Sequence, residues 1–196
     1  MDRNGTGRRG FVTRLAGAIL LAASLLAWTP AGAQADLNAG SQLVDAAAIG
    51  NVDVVAYWLK RGENVDSRDS DGRTALIYGA FVGSVEIVDL TLSFGAVVDR
   101  QDKGGYSALS WAADQGHYEA AQRLIAARAN VNHRNSQGKT PLMLASAKGY
   151  YDLVQLLLDS GADVTLQDYT GRDALDAARG GRDRDVERLV EEAMRR

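Results

Sequence analysis

Cysteine is absent from all 196 residues. No disulfide can therefore brace this chain, and its stability has to come from packing. The same absence removes lipid attachment through an N-terminal thiol. Histidine is scarce: His117 and His133 are the only two. With no thiolate and no second imidazole at ligand spacing, a transition-metal site is not expected. No mostly apolar run reaches the roughly 20 residues that a membrane-spanning helix needs. The two prolines, Pro30 and Pro141, form no proline-rich linker, and no low-complexity stretch divides the chain. Nor do bases outnumber acids, with 22 Lys and Arg against 25 Asp and Glu. That balance argues against the basic stripe through which nucleic acid is bound.

The first 35 residues differ from the rest. Arg3, Arg8, Arg9 and Arg14 give a basic start with Asp2 as its one acid, and Leu15 to Trp28 is an uncharged, mostly apolar run of 14 residues. After Pro30 comes Ala33-Gln34-Ala35, a small-x-small cleavage site. Those parts in that order predict a signal peptide over residues 1–35, cut between Ala35 and Asp36. An uncleaved anchor helix is the alternative. Arg8-Arg9-Gly10-Phe11-Val12 resembles the twin-arginine export signal, although Gly7 and Thr13 depart from that pattern. Ordinary secretion stays open beside it. Either route places the mature chain in the periplasm or beyond, with no stable membrane insertion once the leader is removed. Cleavage would take away four basic residues and one acidic residue, leaving a formal charge of −6.

What is abundant is repetition. Leu43, Leu76, Leu109, Leu142 and Leu175 stand 33 positions apart. On the same step run Asp69, Asp102, Asn135 and Asp168; Gly72, Gly105, Gly138 and Gly171; Gly50, Gly83, Gly116 and Gly149; and Val65, Val98, Val131 and Val164. Thr74, Ser107 and Thr140 form another column. Ala46, Ala112, Ala145 and Ala178 form one more, interrupted by Gly79. A fixed period of this length predicts a solenoid whose units bury their apolar faces against one another. Within a unit the reading is turn, helix, short break, helix. Thr140 is placed to cap a helix that opens with Pro141. Gly149 ends that helix, and Gly161 ends the next, which carries Leu153, Val154, Leu156, Leu157 and Leu158.

The run from Gly138-Lys139-Thr140-Pro141-Leu142 through Ala145, Gly149, Leu156-Leu157-Leu158 and Gly161-Ala162-Asp163-Val164 resembles the ankyrin repeat. The resemblance implies an all-α fold: an ankyrin-repeat solenoid of about five 33-residue helix-turn-helix repeats with short β-turn hairpin tips. The repeats are expected near 37–68, 69–101, 102–134, 135–167 and 168–196, within one domain over 36–196. Where that family often has histidine after the repeat leucine, this chain has Val44, Ile77, Ser110, Met143 and Asp176, so bonds usually supplied by that histidine must be missing or replaced. Arg128 stands in a column of glycines and should cost about 1 kcal/mol there. Repeat one lacks the turn signature and repeat five carries Arg184, Glu187 and Glu191 on its second helix, so both read as caps.

Polar residues follow the repeat, which disfavours catalysis, since an active site needs one convergent cluster. The Asp and Asn column is expected to bond its own turns. Asp53, Glu86, Glu119, Asp152 and Asp185 suit the starts of second helices. His117 fits a structural role between helices, and His133 is expected in solvent. Ser107 and Ser110 have no histidine partner. Trp111 is expected to pack. No enzyme activity, cofactor, metal or small-molecule substrate is predicted.

Family resemblance instead implies that another protein docks on the concave side, made by the turn tips and the first helices. Carried onto matching positions, it points to Arg73, Tyr106, Lys139 and Arg172 just after each turn glycine. Tyr169 is their neighbour, and Phe81, Val82, Asp114, Gln115 and Lys148 lie on the helix face. Arg and Tyr are enriched where binding energy concentrates, and Phe81-Val82 is expected to be exposed. Two other readings remain: an immunity-type inhibitor of an exported toxin, and a self-associating scaffold of the cell envelope.

Overall fold

The period becomes a succession of helix pairs joined by tight turns. A computed structural model describes residues 39–181 and 183–195; the expected leader lies outside them. Each pair has a first and a second helix. The first helices are α1 (Ala39–Ala48), α3 (Ala75–Val82), α5 (Ala108–Gln115), α7 (Pro141–Lys148) and α9 (Ala174–Gly181). The second are α2 (Val52–Lys60), α4 (Val85–Ser93), α6 (Tyr118–Ala126), α8 (Tyr151–Asp159) and α10 (Arg184–Met194). First helices stack on first helices in chain order, and second on second. This is the one-dimensional neighbour packing of a solenoid. The tips are hairpin-like turns, and Gln101 and Ser107 form an isolated antiparallel bridge.

The caps match the sequence. The hydroxyls of Thr74, Ser107 and Thr140 accept from the amides of Ile77, Ser110 and Met143, and Pro141 opens α7. The first helices α3, α5 and α7 end on left-handed Gly83, Gly116 and Gly149. After the second helices the left-handed position falls one residue beyond the cap, at Gly62, Gly95 and Gly161. In the third pair Arg128 occupies it with φ 66°, a conformation that costs a non-glycine residue about 1–2 kcal/mol.

Burial explains the composition of each helix. First helices are enclosed by neighbours on both sides and by their own second helix, so Pro141 through Ser146 are all buried in α7. Leu43, Leu76, Leu109 and Leu142 are buried core residues. Leu175 is only half-buried, since among the described residues no further pair covers it. Second helices bury one stripe, such as Leu153, Val154 and Leu157 in α8. On α10 the outer side is charged. Arg179 of α9 pairs with Glu187 at 3.1 Å and Glu191 at 3.3 Å, and Arg188 with Asp185 at 2.8 Å. Such exposed pairs add little stability, but they keep the last face polar.

His133 is a correction. It is buried, not solvated, and its Nε2 lies 2.8 Å from the Gly105 carbonyl. Since a carbonyl only accepts, Nε2 carries the hydrogen and donates. The chain leaving α6 folds back beneath the preceding tip, so this ring supplies a bond between repeats. His117 acts between repeats as expected: its Nε2 meets the Phe81 carbonyl at 3.1 Å. Its ring leaves no room for a side chain at Gly83.

Gly79 replaces alanine in its column because α3 and α4 approach closely there. A Cβ at Gly79 would lie 2.8 Å from the Ile87 Cγ2. Gly79→Ala gains about 1 kcal/mol in helix propensity but overpacks a filled core, at about 1–3 kcal/mol. The expected outcome is net destabilisation in urea unfolding. Adding Ile87→Ala should make the Gly79→Ala change favourable, as in the Ala112 and Ala120 pair of the next repeat.

Candidate interaction surface

Each tip is organised by one side-chain oxygen. Asp69 Oδ1 accepts from the amides of Asp71 at 2.8 Å and Arg73 at 2.9 Å. Asp102 does the same for Gly104 and Tyr106, Asn135 for Gln137 and Lys139, and Asp168 for Thr170 and Arg172. The residue after each turn glycine is thus tied by its backbone. Tips also bond to one another: Lys103 N to Asp71 O at 2.8 Å, Ser136 N to Gly104 O at 3.0 Å, and Tyr169 N to Gln137 O at 3.0 Å. A second ladder joins the loops after the second helices. There Asp66, Asp99 and Asn132 accept from the amides of Val97, Asn130 and Asp163. Neither ladder was anticipated from the sequence, although Asp66, Asp99 and Asn132 recur on the same 33-residue step.

The second carboxylate oxygen meets a ring on the first helix. Tyr78 donates its hydroxyl to Asp69 Oδ2 at 2.7 Å, and Trp111 donates Nε1–H to Asp102 Oδ2 at 2.9 Å. Around this pair the aromatic residues assemble. Phe81 meets Trp111 edge-on at 5.1 Å, and Tyr106 stacks on Trp111 at 4.6 Å. Arg73 lies 4.8 Å from the Trp111 centroid, with its Nε 3.5 Å from Asp102 Oδ2. Burial, and then the neighbouring Asp114 carboxylate, push the Tyr106 phenol above its ordinary range.

Two expectations change accordingly. Phe81 and Val82 are half-buried, with Phe81 packed on Trp111, instead of forming an exposed apolar pair. Arg73, Phe81 and Tyr106 are engaged with one another through the indole, so they form a rigid wall more than a set of free contacts.

Beyond that wall the face opens. A groove of about 410 Å³ is bordered by Tyr106, Asp114, Lys139, Lys148 and Arg172, with Leu144 and Ala177 among its apolar lining. Five of the ten positions singled out in the sequence are thereby brought together. Tyr169 stands beside them, 71% exposed, with the Arg134 guanidinium 5.1 Å from its ring centroid. It shares a cleft between the last two tips with Lys139 and Arg172. Gln115 donates to Asp114 at 2.8 Å, while Val82 lies outside the groove near the end of α3.

Chemically the surface offers hydrogen bonding and charge. Ser107 and Ser110 are buried and share a 3.1 Å hydrogen bond, with the Ser107 hydroxyl also capping α5. Among the described residues no three His, Asp or Glu side chains are grouped to hold a metal ion. No helix among them is long and apolar enough to cross a membrane.

A family model described as ankyrin repeats (3 copies) matches residues 43–135, 83–168 and 127–194. The chain belongs to the ankyrin-repeat family. No curated protein matches it. Ankyrin repeats are generally protein–protein interaction modules and typically have no enzymatic activity.

The tip acids carry a measurable linkage. Thr170 donates its hydroxyl to Asp168, and the Arg172 and Thr170 amides add to it. Together they hold the Asp168 carboxyl at about 2, against an ordinary 3.8. Because the folded value is the lower one, this interaction stabilises the fold above pH 4 and is lost as pH falls from about 4 to about 2. Asp168→Asn keeps the turn, as Asn135 does in the preceding tip. Its urea midpoint should therefore fall less steeply between pH 4 and 2 than that of the parent chain. Parallel curves for the two proteins would contradict this assignment.

Proposed function

We propose that the chain is exported, with residues 1–35 as a cleaved signal peptide. Residues 36–196 then bind another protein through the concave face and catalyse no reaction. The observation that carries this reading is the groove, where Tyr106, Asp114, Lys139, Lys148 and Arg172 converge beside an apolar floor. An apolar centre with a polar rim is the usual layout of a protein contact. The tips that present these side chains are held to one another by backbone bonds, so little ordering cost accompanies binding. The exposed Tyr169 extends the contact toward the last tips. The N-terminal charge, apolar run and small-x-small site support export to the periplasm or beyond. The twin-arginine-like motif suits a domain that leaves already folded.

Capture from the exported fraction of producing cells tests the reading. The full chain serves as bait beside a Lys139→Ala, Lys148→Ala, Arg172→Ala variant and a control, Arg123→Ala on α6. A protein held by the parent and the control should fall about tenfold or more on the triple variant, at about 1 kcal/mol or less per rim charge. Equal capture by all three baits would contradict docking at the groove.

A further inference from the structure

The residue after each turn glycine reads Arg73, Tyr106, Lys139 and Arg172, and the first of them shows what a cation in that column pairs with. Arg73 reaches across to the next tip, where its Nε lies 3.5 Å from Asp102 Oδ2. Lys139 stands in the same place two repeats on, and the matching acid of its next tip is Asp168. That acid is already taken. Its Oδ1 accepts the amides of Thr170 and Arg172 and the Thr170 hydroxyl. Its Oδ2 lies 3.5 Å from the Arg172 guanidinium of its own turn. Lys139 is half-buried, and no ion pair among the described residues includes it.

Two depressions meet at this lysine. The groove over Leu144, Ala147 and Ala177 and the cleft of about 330 Å³ beside Tyr169 share Lys139, Asp168 and Arg172 in their linings. Their common waist holds two cations against one carboxylate, an excess of one positive charge. On one side of it lies the apolar floor, on the other the exposed Tyr169 ring. We infer that this waist takes an aspartate or glutamate side chain of the partner protein, its carboxylate between Lys139 and Arg172. An apolar side chain two residues away then covers Leu144 and Ala177. In an extended segment two such side chains share a face, about 7 Å apart. The inference rests on the concave-face reading above and names what that face recognises.

The remaining acids of the groove are engaged by their own helices. Asp173 Oδ1 accepts the amides of Leu175 and Asp176, and the Asp173 amide faces Asp176 Oδ2 at 3.4 Å. Both carboxylates thus lie at the start of α9, where the helix dipole is positive. Asp114 accepts from Gln115. All three border the groove but not the cleft, so the waist keeps its positive excess. A free anion would satisfy that charge and leave floor and ring uncovered. An acidic residue within a chain covers all three.

The test uses the full, isotope-labelled chain and three blocked pentapeptides, acetyl-Leu-Ser-X-Ser-Leu-amide with X as Glu, Gln or Lys, beside inorganic phosphate. Leucine on both sides of X serves either chain direction. The Glu peptide should give saturable NMR shifts at the Lys139, Leu144, Tyr169 and Ala177 amides. The Gln peptide keeps the shape without the charge and should bind about fivefold more weakly, the Lys peptide more weakly still. Phosphate should not displace the Glu peptide at equal concentration. Lys139→Gln should lower the Glu peptide to the affinity of the Gln peptide, while Arg123→Ala on α6 leaves it unchanged. Gly180→Trp sets a ring on the floor without crowding the fold, because a Cβ there meets nothing within 4 Å; it should abolish the shifts at Leu144 and Ala177. An unchanged melting temperature shows each variant folded. The inference is overturned by absent shifts in the parent chain, by equal affinity for the Glu and Gln peptides, by tighter binding of the Lys peptide, or by displacement with phosphate. Used as baits, the two variants separate the claims. A partner lost by Gly180→Trp yet fully held by Lys139→Gln leaves the concave-face reading standing and removes the acidic anchor; a partner held by both removes the groove as well.

Discussion

One side-chain group at the start of each turn sets the architecture of the whole concave face. Its first oxygen ties down two amides of the tip, and in two of the four tips the second atom faces the first helix. Where that residue is Asp69 or Asp102, the second atom anchors a ring donor. The tip is thereby fixed both to itself and to the helix beneath it. Take away the dual bond and the turn loses its closure, the tip-to-tip amides lose their register, and the residues after the turn glycines lose their common direction.

Stacking does the rest. Small residues let the first helices approach, left-handed glycines return the chain at each helix end, and each pair covers the apolar face of its neighbour. A chain without cysteine is held in this way by repetition of a modest contact. The same repetition makes the surface a row of equivalent positions whose occupants vary. At the N-terminal end of the row the positions carry Tyr78, Phe81 and Trp111, which close over Arg73. Toward the C-terminal end they carry Leu144, Ala147, Ala177 and Gly180, and the face opens. The groove opens where a regular column stops being filled.

Much of this was legible in the sequence because it is local. A Thr-Pro pair, a glycine after an apolar helix and an Asp three residues before a glycine each act over a few residues, and each is found as expected. Arg128 shows the same logic under strain, since the register demands a left-handed residue there whatever the side chain. What escaped depends on contacts between repeats. His133 looked like a loop residue, yet its ring reaches a carbonyl 28 positions earlier. Backbone bonds between tips leave no residue preference to read. Arg73 and Phe81 looked like free surface because nothing in the sequence says that Trp111 lies between them. Five of the groove residues fell in the right columns, but the groove itself comes from the absence of a ring at Leu144 and Ala177.

The central claim is that the turn Asp and Asn column, with the tip ladder, holds the concave face in a fixed arrangement. Amide hydrogen exchange of the full chain tests it most directly. The amides of Arg73, Lys103, Tyr106, Ser136, Lys139 and Tyr169 sit in surface turns yet are all bonded. The account predicts that they exchange about as slowly as the buried first helices, opening only with the repeat. Exchange at the rate of an unstructured loop would show that the tips move freely, and would contradict it.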